Sequence, residues 1–223
     1  MLYASITHSR NRPYALMLLM TFISGCQIIG AMASKAPKPD IEAAYKGLAN
    51  KTVGVMVWTH QSLQIDWPSI QLDLAASVEK NLRDAQEAKI KDLEGATFPY
   101  PAASFVKFRK EHPEVEAQPV TAIATRLGVQ RLIYIEVNDF TTRAEGSVAL
   151  YLGQISVNMK VVEVEAGQGT VGYEESNITA QFPESATREG ILTGTDRAMY
   201  IGAVRGIAAG IVQRLIQHPD LSN

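Results

Sequence analysis

The sequence contains a single cysteine, Cys26, at the end of a short apolar run. Two small residues, Ser24 and Gly25, precede it, and the apolar run covers residues 14–23. A cysteine thiol is strongly nucleophilic, and small neighbours leave the bond before it open to an enzyme. With no second cysteine in the sequence, Cys26 has no disulfide partner in this chain. The types and spacing of these residues make Cys26 the candidate for covalent modification in this stretch. An ordinary secretory signal or an uncleaved anchor, with a chance cysteine, is the alternative.

The residues before Cys26 have the layout of an export signal. Residues 1–12 carry Arg10 and Arg12 and no acid. The apolar run that follows has about ten residues, whereas a helix that spans a bilayer needs about 20. The stretch Phe22-Ile23-Ser24-Gly25-Cys26 resembles the lipobox of bacterial lipoproteins, in which a branched apolar residue and two small residues precede the cysteine.

This resemblance implies a protein that is anchored to a membrane. Residues 1–25 would be removed as a signal peptide, and Cys26 would become the N-terminus and carry diacylglyceryl and an acyl chain such as palmitate. Several chains anchor a protein durably, whereas one acyl chain gives only marginal binding. Gln27, where lipoproteins of the inner membrane carry Asp, implies sorting to the outer membrane, with the domain facing the periplasm.

The rest of the chain has the composition of a folded domain. Hydrophobic residues make up 46% of the sequence and charged residues 20%, and the net charge is −2. This balance is that of a globular chain and gives no general attraction to nucleic acid. Residues 26–46, which include Pro37 and Pro39, are predicted to be a lipidated tether, with a short helix from Pro39 to Leu48 as the alternative. Residues 47–218 are predicted to form one domain.

Apolar periodicity predicts a strand, several helices, a second strand, a long hairpin and a final helix. The continuous apolar run from Lys51 to Thr59 is typical of a central strand, and apolar residues at three- and four-residue steps predict a helix that ends near Lys89. Residues 61–67 are predicted to be a loop, and a change of apolar phase at Gly153 predicts a β-bulge. The later elements are predicted at residues 102–111, 119–127, 132–137, 147–165, 170–182 and 196–217. This order indicates an α/β sandwich, in which a mixed and largely antiparallel sheet packs against helices in a single domain.

Three glycines recur every four residues in the last predicted helix. Gly202, Gly206 and Gly210 project away from the apolar stripe of that helix. An interior glycine costs up to about 1 kcal/mol relative to alanine, so a solvated glycine face would be unfavourable. A close backbone contact would explain the spacing, because small residues at four-residue steps let helices approach each other. The expected partner is either an internal helix, such as residues 101–111, or another copy of the chain.

Aromatic residues follow the end of the first predicted strand. Trp58, His60 and Trp67, with Phe98 and Tyr100, are expected near one end of the sheet, where aromatic rings beside polar loops suit a ligand face. The same rings suit core packing equally well, and His60 is better explained as a loop residue than as a catalytic base. The sequence has no pattern of paired metal ligands, of a Gly-x-Ser-x-Gly nucleophile or of a phosphate loop. We therefore expect no enzymatic activity, metal or cofactor.

The order of these features is similar to that of a group of envelope proteins. The strand Lys51-Thr-Val-Gly-Val-Met-Val-Trp58 and a helix are followed by Ala124-Thr-Arg-Leu-Gly-Val-Gln-Arg-Leu-Ile-Tyr-Ile-Glu136, a long hairpin and a last helix. With the lipid anchor, this order resembles the periplasmic lipoproteins related to the curli-export protein CsgG, the penicillin-binding-protein activator LpoB, the export protein PelC and the N-terminal domain of TolB. The resemblance implies a non-enzymatic accessory in envelope assembly or export.

The expected partners are the membrane, through the lipid on Cys26, and a protein of the cell envelope. A homo-oligomer is a further expectation, and nucleic acid is not expected. The alternative function is a periplasmic lipoprotein that binds a small molecule or a glycan through Trp58, His60 and Trp67. Solvent exposure of both tryptophans would favour this alternative, whereas full protection would assign them to the core.

Overall fold

A computed structural model describes residues 40–220. Within these residues, four strands form one sheet in the order β1-β2-β3-β4, which are Val53–Thr59, Arg131–Arg143, Tyr151–Glu165 and Gln168–Phe182. The α-helices of this range, α1 to α5, are Gln61–Asp66, Ile70–Glu87, Ala102–Glu111, Val120–Leu127 and Asp196–Leu215. Strand β1 is parallel to β2, and β3 is antiparallel to both of its neighbours. The predicted α/β class, with a mixed and largely antiparallel sheet in one domain, is confirmed.

The parallel pairing of β1 and β2 determines where the intervening helices lie. Parallel neighbours need a connection that crosses from one end of the sheet to the other, and helices α1 to α4 lie in that connection. Successive side chains of β1 point to opposite faces of the sheet. Val55 and Val57 pack into a core on one face, and Met56 packs into a second core on the other.

Helices α2 and α5 cover one face of the sheet, which we call the covered face. Both helices pack against the sheet and against each other. The core beneath them joins buried residues from all four strands, such as Val55, Ile135, Met159 and Ile178. This is the larger of the two cores, and it contains most of the buried apolar residues of the domain.

The opposite face of the sheet, which we call the open face, carries the shorter helices α3 and α4. Phe105 of α3 and Ile123 of α4 pack on Leu132 and Val162 of the strands. Gly54 is required here, because a Cβ atom at this position would lie 2.7 Å from the ring of Phe105. The core on the open face is small, so that several polar side chains of β2 remain in contact with solvent.

Local signals at the end of α4 and at the start of α5 agree with the sequence. Gly128 ends α4 in the left-handed conformation, with φ of 69°, as its position after Leu127 predicts. Thr195 precedes α5, and its hydroxyl accepts a hydrogen bond from the amide of Ala198. The carboxylate of Asp196, the first residue of α5, accepts bonds from Thr142 and Arg143. These contacts tie the start of α5 to the end of β2.

Two parts of the sequence prediction need correction near the N-terminus of the domain. Residues 61–66 form the helix α1, where a loop was predicted. Residues 40–46, predicted as part of the tether or of a short helix, form no helix and pack against the domain through Ala43 and Tyr45, each only 7% exposed. Backbone hydrogen bonds join Ile41 to His218, so the compact unit runs from residue 40 to residue 218.

The predicted bulge at Gly153 is confirmed in the pairing of β3 with β2. The register shifts between the pairs Thr141–Gln154 and Arg143–Tyr151, so that Leu152 and Gly153 of β3 lie opposite the single residue Thr142 of β2. Gly153 also lies under α5, where a Cβ atom would be 2.5 Å from the carbonyl oxygen of Met199. The glycine therefore also permits close approach between a helix and a strand, a role that the phase change in the sequence did not indicate.

No helix among residues 40–220 is both long enough and apolar enough to cross a bilayer.

Candidate functional site

The predicted lipidation residue, Cys26, lies outside residues 40–220, as does the predicted signal peptide. Lipidation therefore stays a prediction from the sequence. The described domain begins 14 positions after Cys26 at Asp40, and its first residues already contact the last strand-like segment at His218.

The predicted ligand face is divided between the two faces of the sheet. Trp58, on β1, lies on the open face, and its ring makes a T-shaped contact with that of His60, with 4.6 Å between centroids. Trp67 follows α1 and packs against the core of the covered face, where its ring stacks on Tyr200 at 5.4 Å. The fold brings Trp58 and His60 together and places Trp67 in a different site.

The two further aromatics of the predicted ligand face lie apart from Trp58. Phe98 is buried in the large core, with the guanidinium of Arg83 5.0 Å from its ring centroid. Tyr100 is exposed, and its ring meets Phe105 edge-on at 6.2 Å. These contacts are those of packing residues at the rim of the core.

A groove of about 680 Å³ runs along the surface between α2 and α5 on the covered face. Its floor is apolar and includes Ala76 of α2 with Ile201 and Val204 of α5. The stacked rings of Trp67 and Tyr200 form one end of it. The sequence indicated one side of this groove, because Ile201 and Val204 belong to the predicted apolar stripe of the last helix.

Basic side chains line the rim of this groove. They are Lys80 of α2 with Arg197 and Arg205 of α5. Among residues 40–220, Arg197 and Arg205 form no ion pair, and Lys80 pairs with Asp84 at the exposed surface of α2. The groove therefore combines an apolar floor with positive charge that the domain itself leaves largely uncompensated.

The acid in the groove, Asp73, is already bonded within the domain. Its carboxylate accepts a hydrogen bond of 2.6 Å from the hydroxyl of Tyr200. Burial, followed by the bond to Asp73, raises the pKa of Tyr200, so the hydroxyl is neutral and acts as a donor. The hydroxyl of Ser69, the N-cap residue of α2, lies 3.2 Å from the same hydroxyl, and the side chain makes no capping hydrogen bond.

A second and smaller cavity, which we call the Trp58 pocket, lies on the open face and has a volume of about 230 Å³. Trp58 and Glu136 are direct neighbours across β1 and β2, and Met56 and Tyr134 form the next pair. The pocket is closed on its other side by α3, α4 and the segment between them, with Arg109, Val115, Glu116, Gln118, Val120 and Ile123. The sequence analysis missed this pocket, although Glu136 is a carboxylate inside the apolar run of β2.

The glycine face of α5 lies against β4. A Cβ atom at Gly202 would be 2.1 Å from the ring of Phe182, and one at Gly206 would be 3.4 Å from Cβ of Ala180. A Cβ atom at Gly210 would meet nothing closer than 3.7 Å. The close contact is internal, as one of the two predictions had it, but the partner is a strand and not the helix at residues 101–111.

Comparisons with known proteins do not assign the chain to a family. No protein-family model and no curated protein matches it. Solved structures of similar fold include the lipoprotein GNA1162 from Neisseria meningitidis, with 14% identity, a TM-score of 0.42 and coverage of 74% of this chain and 95% of that one. A PelC dodecamer from Paraburkholderia phytofirmans has 10% identity, a TM-score of 0.41 and coverage of 82% and 97%. The hypothetical protein CT253 from Chlamydia trachomatis has 14% identity, a TM-score of 0.39 and coverage of 74% and 96%.

Bacterial lipoproteins are thus among the solved structures that this chain is similar to. At these identities and TM-scores the likeness is too distant to place the chain in the group around CsgG, LpoB and TolB, or to transfer an activity. The function must be argued from the chain's own residues.

Proposed function

We propose that this protein is a lipoprotein of the bacterial cell envelope, anchored through Cys26, whose folded domain is a non-catalytic accessory that binds another envelope protein. The anchor is supported by the sequence from Phe22 to Cys26, and Gln27 supports an outer-membrane location facing the periplasm. The binding role is supported by one structural observation above all, which is the open groove between α2 and α5.

The groove has the chemistry of a site for a protein segment. Its apolar floor at Ala76, Ile201 and Val204 suits the apolar side of an amphipathic segment. The basic rim at Arg197 and Arg205 suits acidic residues that flank such an apolar side, since complementary charge guides association and selects partners. We therefore commit to one occupant, an amphipathic helical segment of an envelope protein with Asp or Glu beside its apolar face.

Anchoring is tested by changing Cys26 to Ala in the full chain and separating membranes from soluble proteins. We expect the wild-type chain in the membrane fraction and the Cys26→Ala chain released from it, because the lipid has no attachment point. Labelling with a radioactive fatty acid should disappear in the same variant. If the Cys26→Ala chain stayed in the membrane fraction and still carried the fatty-acid label, the lipidation of Cys26 would be contradicted.

Occupation of the groove is tested by placing a photo-crosslinking amino acid at single positions in cells. Ala76 is exposed in the groove, and Ala209 is an exposed alanine on α5 that does not line it, so the two positions form a matched pair. We expect one envelope protein to crosslink from Ala76 and not from Ala209, through a peptide that carries apolar and acidic residues. Reversing the charge of Arg197 and Arg205 to Glu should reduce this crosslink.

If the same proteins crosslinked from Ala76 and from Ala209, a partner specific to the groove would be contradicted. So would a crosslinked peptide without acidic residues, or a crosslink that the charge reversal leaves unchanged. Each of these results would leave the anchoring experiment on Cys26 unaffected, so that the two parts of the proposal are tested separately.

Self-association stays a prediction with its own test. Gly202 and Gly206 face β4 of the same chain and are not free to meet a second copy. A contact between copies would therefore not use these two glycines. Light scattering of the Cys26→Ala chain over a concentration series measures it directly, and a constant monomer mass would contradict a homo-oligomer.

A further inference from the structure

The Trp58 pocket is lined by side chains that are not all buried or paired within the fold. Trp58 and Glu136 are direct neighbours on parallel strands, and residues of α3 and α4 form the opposite wall of the pocket. Both side chains are only partly buried, whereas Leu132, two pairs earlier on β2, is fully buried beneath those helices. Along this face of β2 the side chains therefore change from the buried, apolar Leu132 to the partly buried, polar Tyr134 and Glu136.

Only one charge in this pocket lacks a partner among the described residues. Arg109 is 8% exposed, donates to Glu116 over 2.7 Å and to the carbonyl oxygen of Val57 over 3.3 Å. Arg109 and Glu116 therefore compensate each other. Glu136 makes no hydrogen bond or ion pair with any of residues 40–220, so its carboxylate is the excess charge of the pocket.

The aromatic rings beside Glu136 are neutral and polarisable. Burial raises the pKa of Tyr134 to about 12, and the negative charge of Glu136 adds to the shift. Tyr134 therefore keeps its proton, and Trp58 carries no charge at any pH. Aromatic faces next to a carboxylate attract organic cations, because the negative face of the ring and the anion act on the same charge.

We propose that the Trp58 pocket binds a small organic cation, an alkylammonium or guanidinium group, between the ring of Trp58 and the carboxylate of Glu136. The volume of about 230 Å³ is below that of the usual site for a drug-sized ligand, which begins at about 300 Å³, and so fits a compact group. A bare Ca²⁺ ion is disfavoured because it takes six or more oxygen ligands, and Glu136 offers the one carboxylate that is not already bonded. An anion is disfavoured by the charge of Glu136.

The test uses the fluorescence of Trp58 in the full chain purified in detergent. Trp67→Phe removes the other tryptophan, which lies on the opposite face, so that the remaining emission reports the pocket alone. The probes are butylguanidinium and 1,5-diaminopentane, with 1-pentanol as the neutral compound of similar size. We expect a saturable change in Trp58 emission with both cations and none with the alcohol.

Two charge-neutralising variants in this background form a matched pair. Glu136→Gln removes the excess carboxylate and should weaken the binding of both cations at least tenfold. Glu145→Gln removes the same charge from an exposed turn, where no described residue pairs with it, and should leave binding unchanged. Equal thermal unfolding midpoints of the two variants show that a loss of binding is not a loss of fold. Trp58→Leu, measured by calorimetry, should also abolish binding.

The cation can belong to a free compound or to a side chain of a peptide, and a blocked peptide with one central arginine distinguishes the two. Competition by this peptide indicates a pocket that admits a protein side chain, whereas binding of butylguanidinium alone indicates a free compound. Either result supports the cation site. The proposal is overturned if neither cation gives a saturable signal, if pentanol binds as well as the cations, or if Glu136→Gln binds them with unchanged affinity.

Discussion

The two faces of the sheet differ in how completely helices cover them. On the covered face, α2 and α5 lie over a core that draws buried residues from all four strands. On the open face, the core is confined to a few residues such as Phe105, Ile123 and Leu132, and the strands continue beyond it with Tyr134 and Glu136. The covered face therefore supplies most of the stability, whereas the open face leaves functional groups of the sheet itself accessible.

This difference in helical cover also determines which side chains line the groove and which line the Trp58 pocket. The groove on the covered face lies between two helices and above the core, so its floor is apolar and its charges are on long flexible side chains such as Arg205. The Trp58 pocket lies directly on the strands, so Trp58 and Glu136 are held by the backbone pairing of β1 and β2. Helix surfaces thus suit an extended protein segment, and strand surfaces suit a compact ligand.

The largest expected effect comes from making the same substitution, isoleucine to alanine, in each of the two cores. Ile207, on α5, and Ile123, on α4, are buried isoleucines of helices on opposite faces. We expect Ile207→Ala to lower the free energy of unfolding by about 3–4 kcal/mol and Ile123→Ala by about 2 kcal/mol, since a cavity in the larger core has less freedom to collapse. Urea unfolding measures both, and equal losses would contradict the unequal division of stability.

A smaller effect tests how closely α5 approaches the sheet. Gly202 faces the ring of Phe182, whereas a Cβ atom at Gly210, in the same helix, would have its nearest neighbour at the ordinary contact distance of 3.7 Å, in the side chain of Arg214. We expect Gly210→Ala to stabilise the protein by up to about 1 kcal/mol, because alanine is the better helix former. Gly202→Ala should be less stable than Gly210→Ala by about 1–2 kcal/mol, because the ring must move. Thermal unfolding of the pair measures the difference, and equal stabilisation would show that the contact with Phe182 is loose.

The smallest effect concerns the charge that fastens α5 to β2. The hydrogen bond from Thr142, and then that from Arg143, lowers the pKa of Asp196 below its usual value of 3.8. A carboxylate with a lowered pKa in the folded state stabilises the protein above its unfolded-state pKa and loses this contribution as the pH falls through the folded-state pKa. We expect unfolding midpoints between about pH 5 and pH 2 to fall less steeply in Asp196→Asn than in the wild type.

Glu145→Gln provides the control for this pH dependence, because Glu145 lies in an exposed turn and pairs with no described residue. It should retain the slope of the wild-type protein in the acid range. An identical slope in Asp196→Asn would mean that the contacts of Asp196 with Thr142 and Arg143 contribute nothing to the attachment of α5.

Much of the fold could be predicted because its signals are local. The apolar run of β1, the periodicity of α2, Gly128 after α4 and Thr195 before α5 each act within a few residues. The hairpin of β3 and β4 was predicted for the same reason. Helix α1 was missed because it has only six residues and buries none of them, so that no periodic pattern marks it.

The sites were less predictable because they depend on contacts between distant residues. Trp58 and Trp67 were predicted to share one ligand face because they are close in sequence. Strand β1 ends and α1 intervenes between them, so the two rings lie on opposite faces of the sheet. The ion pairs near the hairpin turn depend on such contacts as well. Four glutamates there each have a basic partner, namely Arg131 for Glu163 and Glu165, Lys160 for Glu174 and Arg214 for Glu175.

By itself the sequence determined the class of the fold and most of its elements, because these follow from composition, periodicity and short-range capping, and it predicts an export signal that ends before the lone thiol at Cys26. Only the tertiary structure decided which helix lies on which face, that Gly153 and the glycines of α5 serve close packing against strands, and that Glu136 stands beside Trp58 without a described partner. Register across a parallel pair of strands is a long-range property, since it joins residues that are 78 positions apart. Local sequence patterns do not contain that information.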